Sequence, residues 1–125
     1  MTHYIKGSAI HLKRLTTEDV SAEYVSWLND QAVNKYLECR FIEHTVQSVK
    51  KYINSLNRED SDELIFGIYR NLDSKHIGNI KIGPINRHHQ HAAIGLVIGD
   101  KSSWGNGYGS KAIRLISDYA FKELE

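Results

Sequence analysis

The sequence predicts one α/β domain of the α+β kind, with a mostly antiparallel mixed sheet and helices on both of its faces. Apolar residues recur at helical spacing over residues 16–56. Short β-branched and aromatic runs take over between residues 63 and 99, and the polar joints between them suit hairpins. A glycine-rich turn and another helical pattern follow from residue 102. The predicted order is strand, helix, helix, helix, strand, strand, strand, helix.

Length, charge and cysteine content narrow the class of protein. The chain has 125 residues, which is the length of a single domain, and we treat residues 1–125 as one unit. A net charge of +1 gives no field that would hold nucleic acid or an anionic membrane, so we expect neither as a partner. Cys39 is the single cysteine, which excludes an intrachain disulfide framework and fits a reducing compartment. We therefore expect a soluble cytoplasmic protein.

The first part of the chain predicts one strand and then a helix. Residues 9–15 alternate apolar and basic side chains, as a half-buried strand does. Thr16 has Asp19 three residues later, which is the spacing of a capping box, so we expect a helix to begin there. Its predicted core positions are Val20, Tyr24, Trp27 and Leu28.

Two more helices are predicted before residue 57. Asp30 can cap a short helix and Thr45 a longer one, because both side chains accept hydrogen bonds from the first free N–H groups of a helix. The predicted core positions are Val33, Tyr36 and Leu37 in the short helix, and Val49, Tyr52, Ile53 and Leu56 in the long one.

Three strands should then form an antiparallel meander over residues 63–70, 76–84 and 91–99. In the last strand we expect Ile94, Leu96 and Ile98 on one face, and Ala93, Gly95 and Val97 on the other. Gly95 and Gly99 stand in or at the end of this strand, where glycine often marks a bulge or a place where a ligand or another backbone comes close.

The stretch SSWGNGYGSKAIRLISDYAF, residues 102–121, places glycines at 105, 107 and 109 and then becomes helical from about Gly107. The apolar positions of that helix are Ala112, Ile113, Ile116, Tyr119, Ala120 and Leu124. A helix N-terminus offers unpaired N–H donors and the positive end of a dipole. Glycines there would let several N–H groups approach one anion, so the pattern predicts a phosphate site.

Three phosphate-binding designs compete for this stretch. A Walker loop needs glycine, four residues and then Gly-Lys-Ser/Thr, whereas Ser110 here precedes Lys111. A dinucleotide loop needs G-x-G-x-x-G near a first parallel strand, and the spacing here is G-x-G-x-G after a meander. The acetyl-CoA loop [QR]-x-x-G-x-[GA] matches WGNGYG at Gly107 and Gly109, with Trp104 in the first position.

IGLVIGDKSSWGNGYGSKAI resembles the core motif of the GNAT N-acetyltransferases. Tryptophan at the first loop position is similar to the Rim-type branch, and so are IHLKRLTTEDV, WLNDQAVNKYL and HIGNIKIGPIN, so that the resemblance runs from Ile10 to the end. It implies transfer of an acetyl group from acetyl-CoA to a primary amine: a protein N-terminus, an amino sugar or another small amine. It also implies a further strand and helix after Glu125, so we expect these residues to be about the first two thirds of the family fold.

The resemblance also implies which residues bind acetyl-CoA. The pantetheine arm would pair with the strand edge at Leu96, Val97 and Ile98, where a main-chain N–H at a bulge would face the thioester oxygen. The diphosphate would lie on the glycine loop and the start of the helix. Those residues are Trp104, Gly105, Asn106, Gly107, Tyr108, Gly109 and Ser110. Trp104 itself has two interpretations, packing beside the diphosphate or covering the meander.

No catalytic base is assigned. His88, His89 and His91 have a suitable intrinsic pKa but sit in a polar joint, and nothing beside them favours a metal site. Glu38 and Glu43 read as solvated carboxylates. A non-catalytic, CoA-binding or self-associating domain stays open as an alternative. Apolar residues from Ile113 to Leu124 and an open strand edge would favour pairing between chains, so we expect a homo-oligomer.

Overall fold

The computed structural model describes residues 4–30, 44–57, 63–86 and 91–123. Its strands are β1 (Tyr4–Lys6), β2 (Ile10–Arg14), β3 (Leu64–Arg70), β4 (Lys75–Asn86) and β5 (His91–Ile98). Its α-helices are α1 (Ala22–Asn29), α2 (Val46–Leu56) and α3 (Tyr108–Glu123), and 3₁₀ turns cover Thr17–Asp19 and Lys101–Ser103.

The five described strands form one sheet in the order β1-β2-β3-β4-β5, and every neighbouring pair is antiparallel. The predicted meander of the last three strands is therefore confirmed. Strand β1 was not predicted, because its three residues are too few to show an alternating pattern.

Helices cover both faces of the sheet, as predicted. In β3, Phe66 and Ile68 join a core with Ala112, Ile116 and Tyr119 of α3. Ile65, which immediately precedes Phe66 and so points to the opposite face, joins a second core with residues of α1 and α2. Complete burial of each such side chain contributes about 1.5–3 kcal/mol. The two cores fix the sheet between its helices.

The first helix begins later than the sequence predicted. The capping box is present, since Asp19 Oδ2 accepts from the Thr16 backbone N–H at 2.8 Å, but it encloses only a 3₁₀ turn. Val20 then turns extended, with ψ 103°, and buries its side chain. Helix α1 starts at Ala22, and its N-cap is Ser21, whose Oγ accepts from the Tyr24 N–H at 3.0 Å. The prediction of one helix from Thr16 was therefore wrong.

Helix α2 has the predicted cap and most of the predicted buried face. Thr45 and Ser48 bond each other's backbone N–H groups at 3.1 and 2.9 Å. Val49, Ile53 and Leu56 are buried. Tyr52 is 43% exposed, so its assignment to the core was wrong; its hydroxyl instead points to Lys81 of β4. The short helix predicted after Asp30 falls on residues 31–43, outside the described residues.

Helix α3 presents a narrower apolar stripe than predicted. Ala112, Ile116 and Tyr119 are buried, but Ile113 is 40% exposed, so its placement in the core was wrong. Ile113 follows Ala112 by about 100° around the helix and so turns towards solvent. Leu115 packs against the core in its place. Leu124 lies outside the described residues.

Candidate active site

The candidate site is the junction at which the chain leaves β5 and enters α3. The N–H groups of Gly99 and Asp100 both donate to the carbonyl oxygen of Ile77, at 2.9 and 3.1 Å, and this ends the strand. A Cβ on Gly99 would overlap the ring of Trp27. The group that approaches Gly99 is therefore a core side chain of α1, not the ligand or backbone that the sequence analysis expected.

Asp100 shapes the turn that follows. Its carboxylate accepts from the Ser102 hydroxyl at 2.8 Å and from the Ser103 hydroxyl at 3.0 Å. Arg70 and Lys75 form ion pairs with it at 3.8 and 3.6 Å. Burial alone would raise the pKa of Asp100, but the hydrogen bonds from the two serines and the charge of Lys75 outweigh it and leave the pKa below its usual value. The carboxylate is therefore ionised and holds the turn in one shape.

The glycine loop after this turn uses a left-handed backbone. Gly105 has φ +83° and Gly107 has φ +75°, a conformation that costs other residues about 1–2 kcal/mol. A Cβ at either position would meet nothing within 4 Å. Backbone conformation thus requires these glycines, and the space over them is open in the described part of the chain.

The backbone N–H groups of this loop are unpaired within the described residues. From Gly105 through Ser110 none donates a hydrogen bond there, and the first bond of α3 runs from the Lys111 N–H to the Gly107 carbonyl oxygen at 3.2 Å. The free donors therefore gather at the positive end of the helix dipole. Such an arrangement suits an anion.

Trp104 and Gly109 hold the loop close to β5, and Asn106 bonds it to the turn that precedes it. Trp104 donates its indole Nε1–H to the carbonyl oxygen of Ile98 at 2.7 Å, and Asn106 donates its amide to the Ser103 carbonyl oxygen at 3.0 Å. A Cβ on Gly109 would lie 3.0 Å from the Leu96 side chain. Gly109 therefore lets the start of α3 lie close to β5.

Strand β5 lies at the edge of the described sheet, and only β4 pairs with it. The register is regular from Gly78 opposite Ile98 to Ile82 opposite Ile94. The shift in register lies between Ile82 and Ile85, where Gly83 has φ +141° and Pro84 has no N–H. The prediction of a bulge over Leu96–Ile98 was therefore wrong, because the irregular residues lie in β4.

Comparison with known families identifies the chain. Residues 10–125 match the family described as the acetyltransferase (GNAT) domain. The chain belongs to the GNAT family. GNAT acetyltransferases take their acetyl group from acetyl-CoA.

Known relatives agree with this assignment. The chain is 31% identical over 128 residues to Probable N-acetyltransferase YjcK of Bacillus subtilis (strain 168), covering 97% of this chain and 69% of that protein. Spermidine N-acetyltransferase from Vibrio cholerae, solved in complex with CoA and spermine, is 22% identical with a TM-score of 0.78, over 94% of this chain and 67% of that one.

A GNAT-family acetyltransferase from Bacillus anthracis is 20% identical with a TM-score of 0.75, over 97% of this chain and 68% of that one. At these identities the two solved structures show the same fold. A chimera of the Vibrio cholerae spermidine enzyme is covered over 66% of its length. The chain thus spans about two thirds of the length of the proteins it matches.

The face of the GNAT sheet opposite α3 carries polar groups that the sequence analysis missed. Ile80, Ile82, Leu96 and Ile98 pack towards α3, so the alternating residues Asn79, Lys81, Gly95 and Val97 lie on the face that α1 and α2 share. Lys81 Nζ lies 3.4 Å from the Tyr52 hydroxyl and 3.8 Å from the Glu63 carboxylate. Its cross-strand partner Gly95 has open space where a Cβ would stand.

His76 and Asn79 form a hydrogen-bonded pair on the same face, with 2.8 Å between Nε2 and Oδ1. Burial lowers the pKa of His76 below its usual value, so the ring is neutral at pH 7. No spacing rule marks either residue in the sequence. For the Asp100 turn a signal did exist, since an aspartate followed by Ser102 and Ser103 is typical of a side-chain-capped turn.

The remaining candidates of the GNAT chain divide between described and undescribed residues. Glu38, Glu43, His88 and His89 lie outside the described residues, and of His91 only the backbone, in β5, is described. Within the described ranges, no group of three His, Cys, Asp or Glu side chains could hold a metal ion. None of the helices in those ranges has the length and apolar character needed to cross a bilayer.

Proposed function

We propose that this GNAT chain binds acetyl-CoA at the β5–α3 junction, with the diphosphate on the backbone N–H groups of residues 105–110. The observation that carries the proposal is the row of unpaired N–H groups from Gly105 to Ser110, below open space and at the start of a 16-residue helix. The contacts proposed for the diphosphate come from Trp104, Gly105, Asn106, Gly107, Tyr108, Gly109 and Ser110. Main-chain donors at a helix start bind phosphate without any need for a charged side chain.

The pantetheine arm would lie along the outer edge of β5 at Leu96, Val97 and Ile98. An unpaired strand edge accepts an extended chain as an additional strand, because its N–H and C=O groups alternate at fixed intervals. Trp104 supports this placement, since its bond to the Ile98 carbonyl joins the end of that edge to the diphosphate loop. A main-chain N–H of the edge would then face the thioester oxygen, although the ladder has no bulge there.

The reaction that follows is attack of a neutral primary amine on the thioester carbonyl carbon. A C–N bond forms, the carbonyl oxygen carries negative charge in the tetrahedral intermediate, and the C–S bond breaks to release CoA thiolate. The amine loses one proton and the thiolate gains one. An alkylamine has a pKa near ~10.4, so it must lose a proton before it attacks. Main-chain donors aimed at the oxyanion would lower the barrier.

The acceptor is a small-molecule or peptide amine. Support for a small amine comes from the Vibrio cholerae relative, whose solved complex contains CoA and spermine. Membership of the Rim-type branch, which Trp104 suggests, would favour a protein N-terminus. The cytoplasmic location and the strand and helix expected after Glu125 stay predictions.

Two measurements test the proposal. Calorimetric titration with acetyl-CoA reports binding, and thiol release in the presence of amines reports turnover. Gly107→Val should weaken acetyl-CoA binding at least about tenfold, because a β-branched residue strains the left-handed backbone that presents the donors. Leu72→Ala is the control, since Leu72 is 89% exposed in the β3–β4 turn. Equal affinity in Gly107→Val and wild type would contradict the proposed site.

A non-catalytic, self-associating domain is the second candidate. It is favoured by the unpaired edge of β5 among the described strands, and by Ile94 and Ile113, which are 39% and 40% exposed. This candidate gains if acetyl-CoA binds and no amine is ever acetylated. It also predicts a concentration-dependent homo-oligomer, and a monomer at every concentration in sedimentation experiments would contradict it.

A further inference from the structure

Asn79 stands beside the part of β5 at which the proposed reaction takes place. It pairs with Val97 across the β4–β5 ladder, so the two side chains lie on one face with Cβ atoms about 5 Å apart. That face is the one opposite α3, and Asn79 is only 5% exposed on it. A buried amide requires hydrogen-bonding partners. Because Asn79 lies beside Val97, the partners it has decide which of its polar atoms can still bond to an acceptor molecule.

His76 holds one end of this amide. The Asn79 Oδ1 atom faces His76 Nε2 at 2.8 Å, and because an amide oxygen only accepts, this orientation matches the tautomer in which Nε2 carries the hydrogen. The imidazole is fixed in turn by three aromatic rings, with centroids at 5.6 Å for Tyr24, 5.0 Å for Trp27 and 5.0 Å for Tyr69. The orientation of the amide is therefore set by a ring that has little freedom to move.

The His76 ring lies over Gly67, which has no side chain to fill that space. A Cβ on Gly67 would lie 3.2 Å from His76 Nε2 and 2.8 Å from the Tyr69 ring. Gly67 is also the partner of Asn79 in the β3–β4 ladder. Asn79 is thus flanked by a glycine on one side and by Val97 on the other.

The other end of the amide is left as a donor. With Oδ1 engaged by His76, the two hydrogens on Asn79 Nδ2 have no acceptor among the described residues, and Nδ2 is not sealed from solvent. Lys81, two residues along the same face, adds a second donor. Its charge is partly balanced by Glu63 at 3.8 Å.

We propose that Asn79 contacts the acceptor, with His76 as its positioning residue. The pair would select amines in which the carbon that bears the nitrogen also bears a carbonyl group, whose oxygen accepts a hydrogen bond. The inference rests on the proposed acetyl transfer at β5. A protonated polyamine carries only donors and has nothing to offer Nδ2, whereas an amine next to a carbonyl group presents an oxygen that Nδ2 can reach. A site built to hydrogen-bond an oxygen discriminates against compounds without it.

The tautomer of His76 is the first test, and it does not depend on turnover. Ring ¹⁵N shifts of the full chain near pH 7 should show a neutral imidazole with the proton on Nε2. In the presence of CoA, glycinamide should shift the side-chain NH₂ signals of Asn79, and 1,2-diaminoethane should not. A proton on Nδ1 would turn the amide oxygen outward and overturn the proposal, and so would equal NH₂ shifts with both amines.

The second test is kinetic and uses the same two amines with acetyl-CoA. Asn79→Leu removes the amide at similar volume and should lower kcat/KM for glycinamide about tenfold or more, while 1,2-diaminoethane changes less than about threefold. His76→Phe should reproduce part of that loss. His76→Gln, whose amide can still donate to Asn79 Oδ1, should restore most of it. The acetyl-CoA Kd should be the same in all variants.

The outcomes separate the inference from the proposed function. If wild-type protein does not bind acetyl-CoA, the proposed function fails. If acetyl-CoA binds normally and Asn79→Leu lowers kcat/KM equally for both amines, with a lower Tm, the pair is only structural and the inference alone is overturned.

Discussion

Trp104 donates its indole N–H to the carbonyl oxygen of Ile98 at 2.7 Å, and this hydrogen bond links the end of β5 to the glycine loop. The ring itself is 45% exposed, so it covers the strand end without being buried in a core. The two interpretations of Trp104 are therefore compatible. It fixes the strand end and stands at the entrance to the proposed diphosphate site.

Trp104→Phe tests this link. Phenylalanine keeps an aromatic ring but removes the donor, so the loop loses a hydrogen bond that contributes about 0.5–1.5 kcal/mol. We expect a small decrease in Tm and an acetyl-CoA Kd that rises several-fold, because the loop is no longer held in its binding shape. Calorimetry with wild type, Trp104→Phe and the distant Leu72→Ala checks this. A Kd for Trp104→Phe equal to the other two would show that the link has no part in binding.

Gly105 and Gly107 should tolerate alanine less well than Gly95 does. The first two residues have positive φ, so alanine there costs about 1–2 kcal/mol each in strain, although nothing crowds the new Cβ. Gly95 also has open space but lies in an ordinary strand conformation. Urea unfolding of the three alanine variants measures the difference. Equal free energies of unfolding would mean that the loop does not hold a left-handed backbone.

Gly99 and Trp27 should be energetically coupled. A Cβ at residue 99 would overlap the Trp27 ring, so Gly99→Ala should destabilise the fold by about 1–3 kcal/mol through overpacking. Trp27→Leu removes the ring and costs stability by itself, but in that background Gly99→Ala should be nearly neutral. A double-mutant cycle measures the coupling. Additive effects of the two substitutions would contradict the close contact.

The neutral state of His76 predicts a pH dependence of stability. Its folded pKa is lowered from about 6.5 by burial, so the unfolded chain binds a proton first as the pH falls. The stabilisation is complete above about pH 6.5 and decreases as the pH falls from there towards the folded pKa. His76→Gln should lack this decrease, because glutamine does not titrate. Unfolding free energies of both proteins between about pH 5 and 8 check it, and parallel curves would refute it.

Local patterns predicted the elements well where the cause was itself local. The cap at Thr45, the stripe of Val49, Ile53 and Leu56, and the meander all follow from short-range spacing. Tyr52 and Ile113 were placed in the core because apolar spacing alone does not show where a stripe ends. Their exposure depends on which elements pack nearby.

The candidate site was predictable only where it consists of backbone. The glycine pattern and the following helix marked residues 104–110 as a phosphate-binding loop. The backbone is left-handed at Gly105 and Gly107, and the binding itself stays a prediction. The His76–Asn79 pair could not be found in the same way, because it depends on a space over Gly67 and on three rings from two other elements, α1 and β3. Groups brought together by the fold leave no spacing rule in the sequence.

The most direct test of the central claim is the backbone ¹H–¹⁵N spectrum of the chain during titration with acetyl-CoA. If the main-chain donors at the start of α3 hold the diphosphate, the signals of Gly105 to Ser110 should show the largest shifts, and downfield proton shifts should mark the N–H groups that gain an acceptor. Free 3′,5′-ADP, which lacks the diphosphate linkage, serves as the control and should move them less. Saturating acetyl-CoA that leaves these signals in place would contradict the account.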